Sequence, residues 1–242
     1  DNRTRTDICA ATGFDGSNVW TSGVGYVFHH VDTINAMCGS GLEATGANYE
    51  IYSVYAADNG TESPGPWADG ITLTECNGGT VTNNVIVNNT DVGLVVFTGT
   101  NCTVRFNEIR NDDLYAFAGF KLGDPGPALI ATLAGGRFTD NTIISGYNLL
   151  SFGIMIGNHP WNADSFIEDV GEVRYNTVAG SVVNLAIDGI GAGFIADNAL
   201  SNAQGDRDFG PCRFTGNYTY GHSPDPGGGA VCQIFHSPCG CQ

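Results

Sequence analysis

Short runs of alternating apolar and polar residues, each about three to five long, follow one another along the chain with turn-forming residues between them. One frame recurs: V-T-N-N-V-I at 81–86, V-R-F-N-E-I at 104–109, F-T-D-N-T-I at 138, V-R-Y-N-T-V at 173, I-A-D-N-A-L at 195 and F-T-G-N-Y-T at 214. Asn84, Asn107, Asn141, Asn176, Asn198 and Asn217 are thereby equivalent, at successive spacings of 23, 34, 35, 22 and 19 residues. A glycine followed by a large apolar residue opens another strand in each unit, at Gly41-Leu42, Gly70-Ile71, Gly93-Leu94, Gly119-Phe120 and Gly153-Ile154. No stretch carries a helical period.

A unit of about 23 residues with two or three short strands cannot bury its apolar face alone, so units must stack. Stacking puts strand on strand at about 4.8 Å with alternate side chains inside, which predicts Ile71 and Leu73 inward and Thr72 outward. Glu43, Thr72, Val95, Lys121 and Met155 then share one outward ladder. The repeated Asn falls at a tight bend, where its amide can bond the next coil and the turn backbone. The expected fold is all-β: a single-domain parallel β-helix (solenoid) of about eight coils. Residues 1–18 read as a lead-in, 19–210 as coils, and 211–242 as the last coil with a Cys-rich end. Insertions at 61–68, 123–134 and 157–169 lie near one edge of the Gly-apolar strands and are expected to wall a groove.

Composition narrows the function. Nine basic residues against 25 acidic ones give a net charge of −16, and the single lysine and eight arginines form no cluster, which argues against nucleic acid as a partner. No apolar run is long enough for a membrane span. The eight cysteines Cys9, Cys38, Cys76, Cys102, Cys212, Cys232, Cys239 and Cys241, with sequons at Asn2, Asn59, Asn88, Asn101 and Asn217, predict a secreted, extracellular, disulfide-bonded glycoprotein. Connectivity stays open, and four cysteines in the last 31 residues suggest a stapled end. The start at Asp1 reads as a mature or trimmed product.

W-A-D-G-I-T-L, N-N-V-I-V-N-N-T-D-V-G-L and V-R-F-N-E-I-R-N-D-D resemble the repeats of right-handed parallel β-helix proteins, the group containing pectate lyases, polygalacturonases, alginate lyases and epimerases, and phage tailspikes. The resemblance covers roughly residues 19–220 and implies a right-handed solenoid. Asp69-Gly70 and Asp112-Asp113 are similar to the acidic pieces of polygalacturonases, but His222 stands in G-H-S and no R-I-K follows. A pectate-lyase resemblance would imply a calcium-binding Asp cluster with an Arg base, for which Arg105, Arg110 and Arg137 are available.

Asp69, Asp91 and Asp112 or Asp113 precede successive strands at nearly the coil period, so they are expected to stack along one edge. Such a file shares protons, binds a cation such as Ca²⁺, or splays into solvent; two members suit acid and base roles on a glycosidic bond, while the plainer alternative is Asx turn capping. Lys121, Glu43, Trp67 and Trp161 are the candidate substrate contacts, set against ordinary surface or packing roles. For His29-His30 alternation predicts one ring inward and one outward. Val95, Phe97 and Met155 are apolar at outward positions, so a loop or another subunit should cover them. Two functions follow: a protein that binds or cleaves an extracellular polysaccharide, as a lyase or glycoside hydrolase would, or a structural or adhesive protein that self-assembles into homo-oligomers or filaments by solenoid stacking.

Overall fold

A computed structural model describes residues 16–37, 39–61, 67–123, 130–146, 148–157, 166–187, 190–202 and 208–209. Every regular element among them is a strand, and every strand pairing is parallel. One sheet stacks eight strands in chain order: Val19–Val24, Leu42–Ala47, Ile71–Asn77, Val92–Val96, Ala116–Leu122, Leu150–Ile156, Val183–Ile187 and Asp208–Phe209. The other strands form a second sheet folded along its length. Glu50–Ala57 shows how: it turns at Ser53, whose φ is +54°, so that its first half pairs with Thr80–Thr82 and its second half with Val85–Val87. Each coil therefore presents three faces, as expected for a parallel β-helix.

Both landmarks hold register. Trp20, Glu43, Thr72, Val95, Lys121, Met155 and Ala186 lie opposite one another strand by strand, which is the outward ladder read from the glycines, extended by one coil at each end. Leu42, Ile71, Leu94, Phe120, Ile154 and Leu185 point into the core beside Val81, Val104, Phe138 and Ile109. The glycines are required by space rather than by φ: a Cβ on Gly93 would stand 2.5 Å from Ile109 Cγ2 and 2.6 Å from the Gly119 carbonyl.

The repeated asparagines form a continuous buried ladder. The Asn84 amide donates to Asn107 Oδ1 at 2.9 Å, Asn107 to Asn141 at 3.0 Å, Asn141 to Asn176 at 3.0 Å and Asn176 to Asn198 at 2.9 Å. Each acceptor oxygen also takes the backbone N–H of the preceding Asn, at 3.0 to 3.1 Å. The second amide hydrogen goes to a strand carbonyl, as from Asn141 to Val104. Each side chain thus closes the hydrogen bonding of a bend that the sheets leave open. Asn217 lies outside the described residues.

A second ladder, which the frame did not reveal, occupies the next corner. Asn59 donates to Asn89 Oδ1 at 2.7 Å, and the Asn111 amide donates to the Asn89 carbonyl at 3.0 Å. At the third corner Gly25, Asn48, Gly78, Asn101 and Gly135 all take positive φ. The alternation is steric, since a Cβ on Gly78 would lie 2.5 Å from Asn48 Oδ1 and one on Gly135 2.4 Å from Asn101 Oδ1. Beside this corner a disulfide joins Cys76 to Cys102 across adjacent coils. Cys9, Cys38, Cys212, Cys232, Cys239 and Cys241 lie outside the described residues.

Candidate functional site

The outer side of the eight-stranded sheet is not a plain solvent face. Val92, Val95, Ala118, Phe152, Met155, Val183 and Ala186 form a second apolar cluster there, against which Phe97, Phe117 and Val182 pack. Thr72 points outward as expected yet is buried: alternation fixes the side of the strand, not whether a further layer covers it. Lys121 is likewise only 3% exposed, with its ammonium donating to the Gly123 carbonyl. The expectation that it reaches substrate from the surface is corrected accordingly, because apolar neighbours withdraw it from solvent.

At the edge of this cluster the structure brings Asp69 and Asp91 together on successive coils. Asp69 immediately precedes Gly70 and stands level with Val92, whose N–H donates to Asp69 Oδ1 at 3.1 Å. Thr72 Oγ1 donates to Oδ2 at 2.6 Å and lies 2.5 Å from Ser40 Oγ. Asp91 N–H in turn bonds the Ala68 carbonyl, fixing the two acids in neighbouring registers. Burial, then the Asp91 carboxylate, push the Asp69 carboxyl up to about 7 from 3.8. The Thr72 and Val92 hydrogen bonds and the Lys121 charge pull the other way and do not prevail.

Asp112 and Asp113 do not continue this file. The Asp91 carbonyl accepts from Phe117 and Ala118, so Phe117 is the residue that follows Asp91 on the next coil. Asp112 and Asp113 sit on an exposed turn, their backbone N–H groups bonded to Asn88 Oδ1 at 2.8 and 3.3 Å. The length of the turn before the strand varies from coil to coil, so counting back from strand starts misaligned them. The cap on this turn is the Asn88 side chain of the preceding coil rather than either aspartate's own carboxylate.

Of the other expected contacts, Trp67 is 62% exposed two residues before Asp69, and Glu43, one rung from Thr72 on the ladder, accepts from Ser17 Oγ at 3.2 Å. Trp161 and residues 62–66, 124–129 and 158–165 of the expected insertions lie outside the described residues, whereas Ile130–Ala131 and Phe166–Ile167, expected in the loops, pair as parallel strands of the second sheet. His29 and His30 both face solvent, because His30 turns at φ +54° and breaks the alternation. Their Nδ1 atoms are 2.6 Å apart, and His29 stacks on Tyr52 at 4.8 Å. No group of three or more His, Cys, Asp or Glu side chains suited to a metal ion occurs among the described residues, so Asp69 and Asp91 would bring two carboxylates to the calcium once expected there.

Asn59 corrects the sequon reading. It is fully buried, its amide committed to Asn89 and its Oδ1 to the Ala36 N–H at 2.8 Å, so a glycan on it is incompatible with this packing. Asn88 is partly exposed and Asn101 exposed at corners; Asn2 and Asn217 lie outside the described residues. No helix among the described residues is long and apolar enough to cross a membrane.

No curated protein and no solved structure matches the chain. The family described as the right-handed beta helix region matches residues 14–160, more than half of the 242 residues. That match spans the shorter ladder, the long ladder as far as Asn141 and the Asp69–Asp91 pair, and with the all-parallel strand stacking it places the chain in the right-handed β-helix family.

Proposed function

We propose that the protein is a secreted, extracellular β-helix that binds and cleaves a polysaccharide, with Asp69 as the acid. The observation carrying this reading is the Asp69 carboxyl, held by Thr72 and Val92 beside the Asp91 carboxylate and raised to about 7. A carboxyl that keeps its proton near neutrality next to an ionised partner is the division of labour used in glycosidic bond cleavage. Asp69 gives its proton to the glycosidic oxygen as the C1–O bond breaks. Asp91 stays ionised, steadies the positive charge that develops on the sugar ring, and takes a proton from the attacking water. Exposed Trp67 supplies a ring face for an adjacent sugar.

The test is product release from a panel of plant, algal and bacterial polysaccharides, measured as reducing ends and as unsaturated uronate absorbance. Asp69→Asn and Asp91→Asn should each lower turnover by about 100-fold or more, the share typical of a general acid or base. Unchanged turnover in both variants would refute the assignment. A second reading, assembly by solenoid stacking, is favoured by the end strand Val19–Val24, which among the described strands pairs on one side only. Trp20 and Val24 on it, and Val27 and Ile34 beyond it, are exposed. Size-exclusion chromatography with electron microscopy distinguishes the two: regular filaments without glycan turnover support assembly.

A further inference from the structure

The corner bearing the long asparagine ladder has an outer side whose chemistry is not that of a simple turn. The residue before each ladder asparagine takes positive φ: Asn83 at 55°, Phe106 at 58°, Asp140 at 59°, Tyr175 at 59° and Asp197 at 53°. Asn and Asp tolerate this left-handed conformation, whereas a bulky L-residue is strained there by about 1–2 kcal/mol. Phe106 and Tyr175 nevertheless occupy two of the five positions, with 50% and 52% of their surface in water. Burial of the rings therefore does not account for them.

An arginine from the preceding position backs each ring. The Arg105 guanidinium lies 4.2 Å from the Phe106 centroid, and that of Arg174 lies 4.1 Å from Tyr175 and 4.9 Å from Phe194. Each arginine is also tied to the acid of the next coil, Arg105 to Asp140 at 3.3 Å and Arg174 to Asp197 at 2.8 Å. The Nε atoms of both are covered and make no hydrogen bond among the described residues. Strain and a forfeited hydrogen bond thus coincide at both rings, which are held in fixed orientation while the local charge is cancelled. Along the solenoid axis the order is ring, acid, ring, acid. With coils about 4.8 Å apart, the two rings stand about 9.6 Å from each other.

We propose that this ridge is a binding site for an uncharged glycan chain lying along the solenoid axis, with pyranose faces on Phe106 and Tyr175 and hydroxyls bonded to Asp140 and Asp197. Charge selects the ligand class: a polyanion needs unpaired cations, and here both arginines are matched by acids within a chain of net charge −16. Form selects it further. An apolar protein surface would meet a carboxylate between the rings, whereas a sugar chain offers flat C–H faces for the rings and hydroxyl rims for the acids, repeated along its length. The ridge lies at a different corner from Asp69 and Asp91, so it stands or falls independently of the proposed cleavage.

The test is co-sedimentation of the intact chain with insoluble cellulose, chitin and xylan, with immobilised polygalacturonate as the anionic control. The informative variant is Phe106→Asn combined with Tyr175→Asp, residue types that Asn83 and Asp140 already carry at this position. It should bind at least tenfold more weakly to whichever uncharged glycan the parent binds, with a melting temperature unchanged or raised. The proposal is overturned if the parent binds none of the three, if it prefers polygalacturonate, or if the double variant binds within twofold of the parent. It is also overturned if sedimentation velocity shows an oligomer that the double variant abolishes, since the ridge would then be a contact between copies.

Discussion

Asp69→Asn should invert its effect on stability with pH. The folded chain holds the Asp69 proton up to about pH 7, whereas the unfolded chain releases it near the ordinary value of 3.8. Between those values the folded state binds more protons, so stability falls as pH rises through the window and levels off above it. Roughly three units at 1.36 kcal/mol each set an upper bound of about 4 kcal/mol. Asp69 keeps part of its surface in water, and solvent screening brings the expected loss to about 2 kcal/mol. In a chain of this size that corresponds to a melting temperature about 4–8 °C lower. The variant removes the titration, but its single carbonyl oxygen replaces both carboxylate oxygens that accept from Val92 and Thr72, at a cost of about 1 kcal/mol. It should therefore be less stable than the parent at about pH 4.5 and more stable at about pH 8, with the curves crossing between. Urea unfolding followed by circular dichroism at stepped pH measures this. Asp91→Asn should move the parent's window to lower pH, because it removes the neighbouring negative charge. A stability difference between Asp69→Asn and parent that does not vary with pH, or varies in the opposite sense, refutes the reasoning.

Four further outcomes follow from the scaffold. Asn141→Ala strands the Asn107 N–H, one Asn107 amide hydrogen and the Val104 carbonyl, and should cost about 3 kcal/mol in chemical denaturation at about 1 kcal/mol per group, while Asn176 Oδ1 keeps the backbone N–H of residue 141. Gly93→Ala drives a methyl against Ile109 and the Gly119 carbonyl, and thermal unfolding should show a loss of about 2 kcal/mol, as overpacking does. Replacing both Cys76 and Cys102 by Ala opens a link between residues 26 apart, and urea titration should report a loss of about 3.5 kcal/mol on the chain-entropy account. In a secretory eukaryotic host, glycopeptide mass spectrometry should find Asn59 unoccupied, since its amide is consumed in the second ladder.

The parts of the fold legible in the sequence were those with a fixed distance from a recognisable residue. The Asn frame and the Gly-apolar frame each kept their internal pattern while insertions changed the length of the coil, and the structure pairs the Gly-apolar strands residue for residue, as at Thr72, Val95 and Lys121. The Asn59–Asn89–Asn111 ladder escaped because its members share no flanking pattern; only the doubled Asn at 88–89 hinted at it. Asp112 and Asp113 were misplaced for a related reason, a turn that lengthens between Asn111 and Ala116. The cover over Lys121 and Thr72 was invisible because periodicity reports direction, and a second layer is a long-range matter. Asp69 was legible as a candidate acid, but the burial that raises its carboxyl was not. Its proton depends on burial and on Asp91, which only packing brings about.

The two asparagine ladders have a mechanical consequence. One runs from Asn59 through Asn89 to Asn111, and the other from Asn84 through Asn107, Asn141 and Asn176 to Asn198, so they overlap over the stretch from Asn84 to Asn111. Val54 and Ala36 extend side-chain bonding toward the start of the described coils, by donating to Asn84 and Asn59. As in staggered masonry, one seam begins before the other ends. Tension along the axis therefore meets a side-chain amide at every joint from Ala36 to Asn198, and the protein should part under load at the ends of the ladders rather than in the middle.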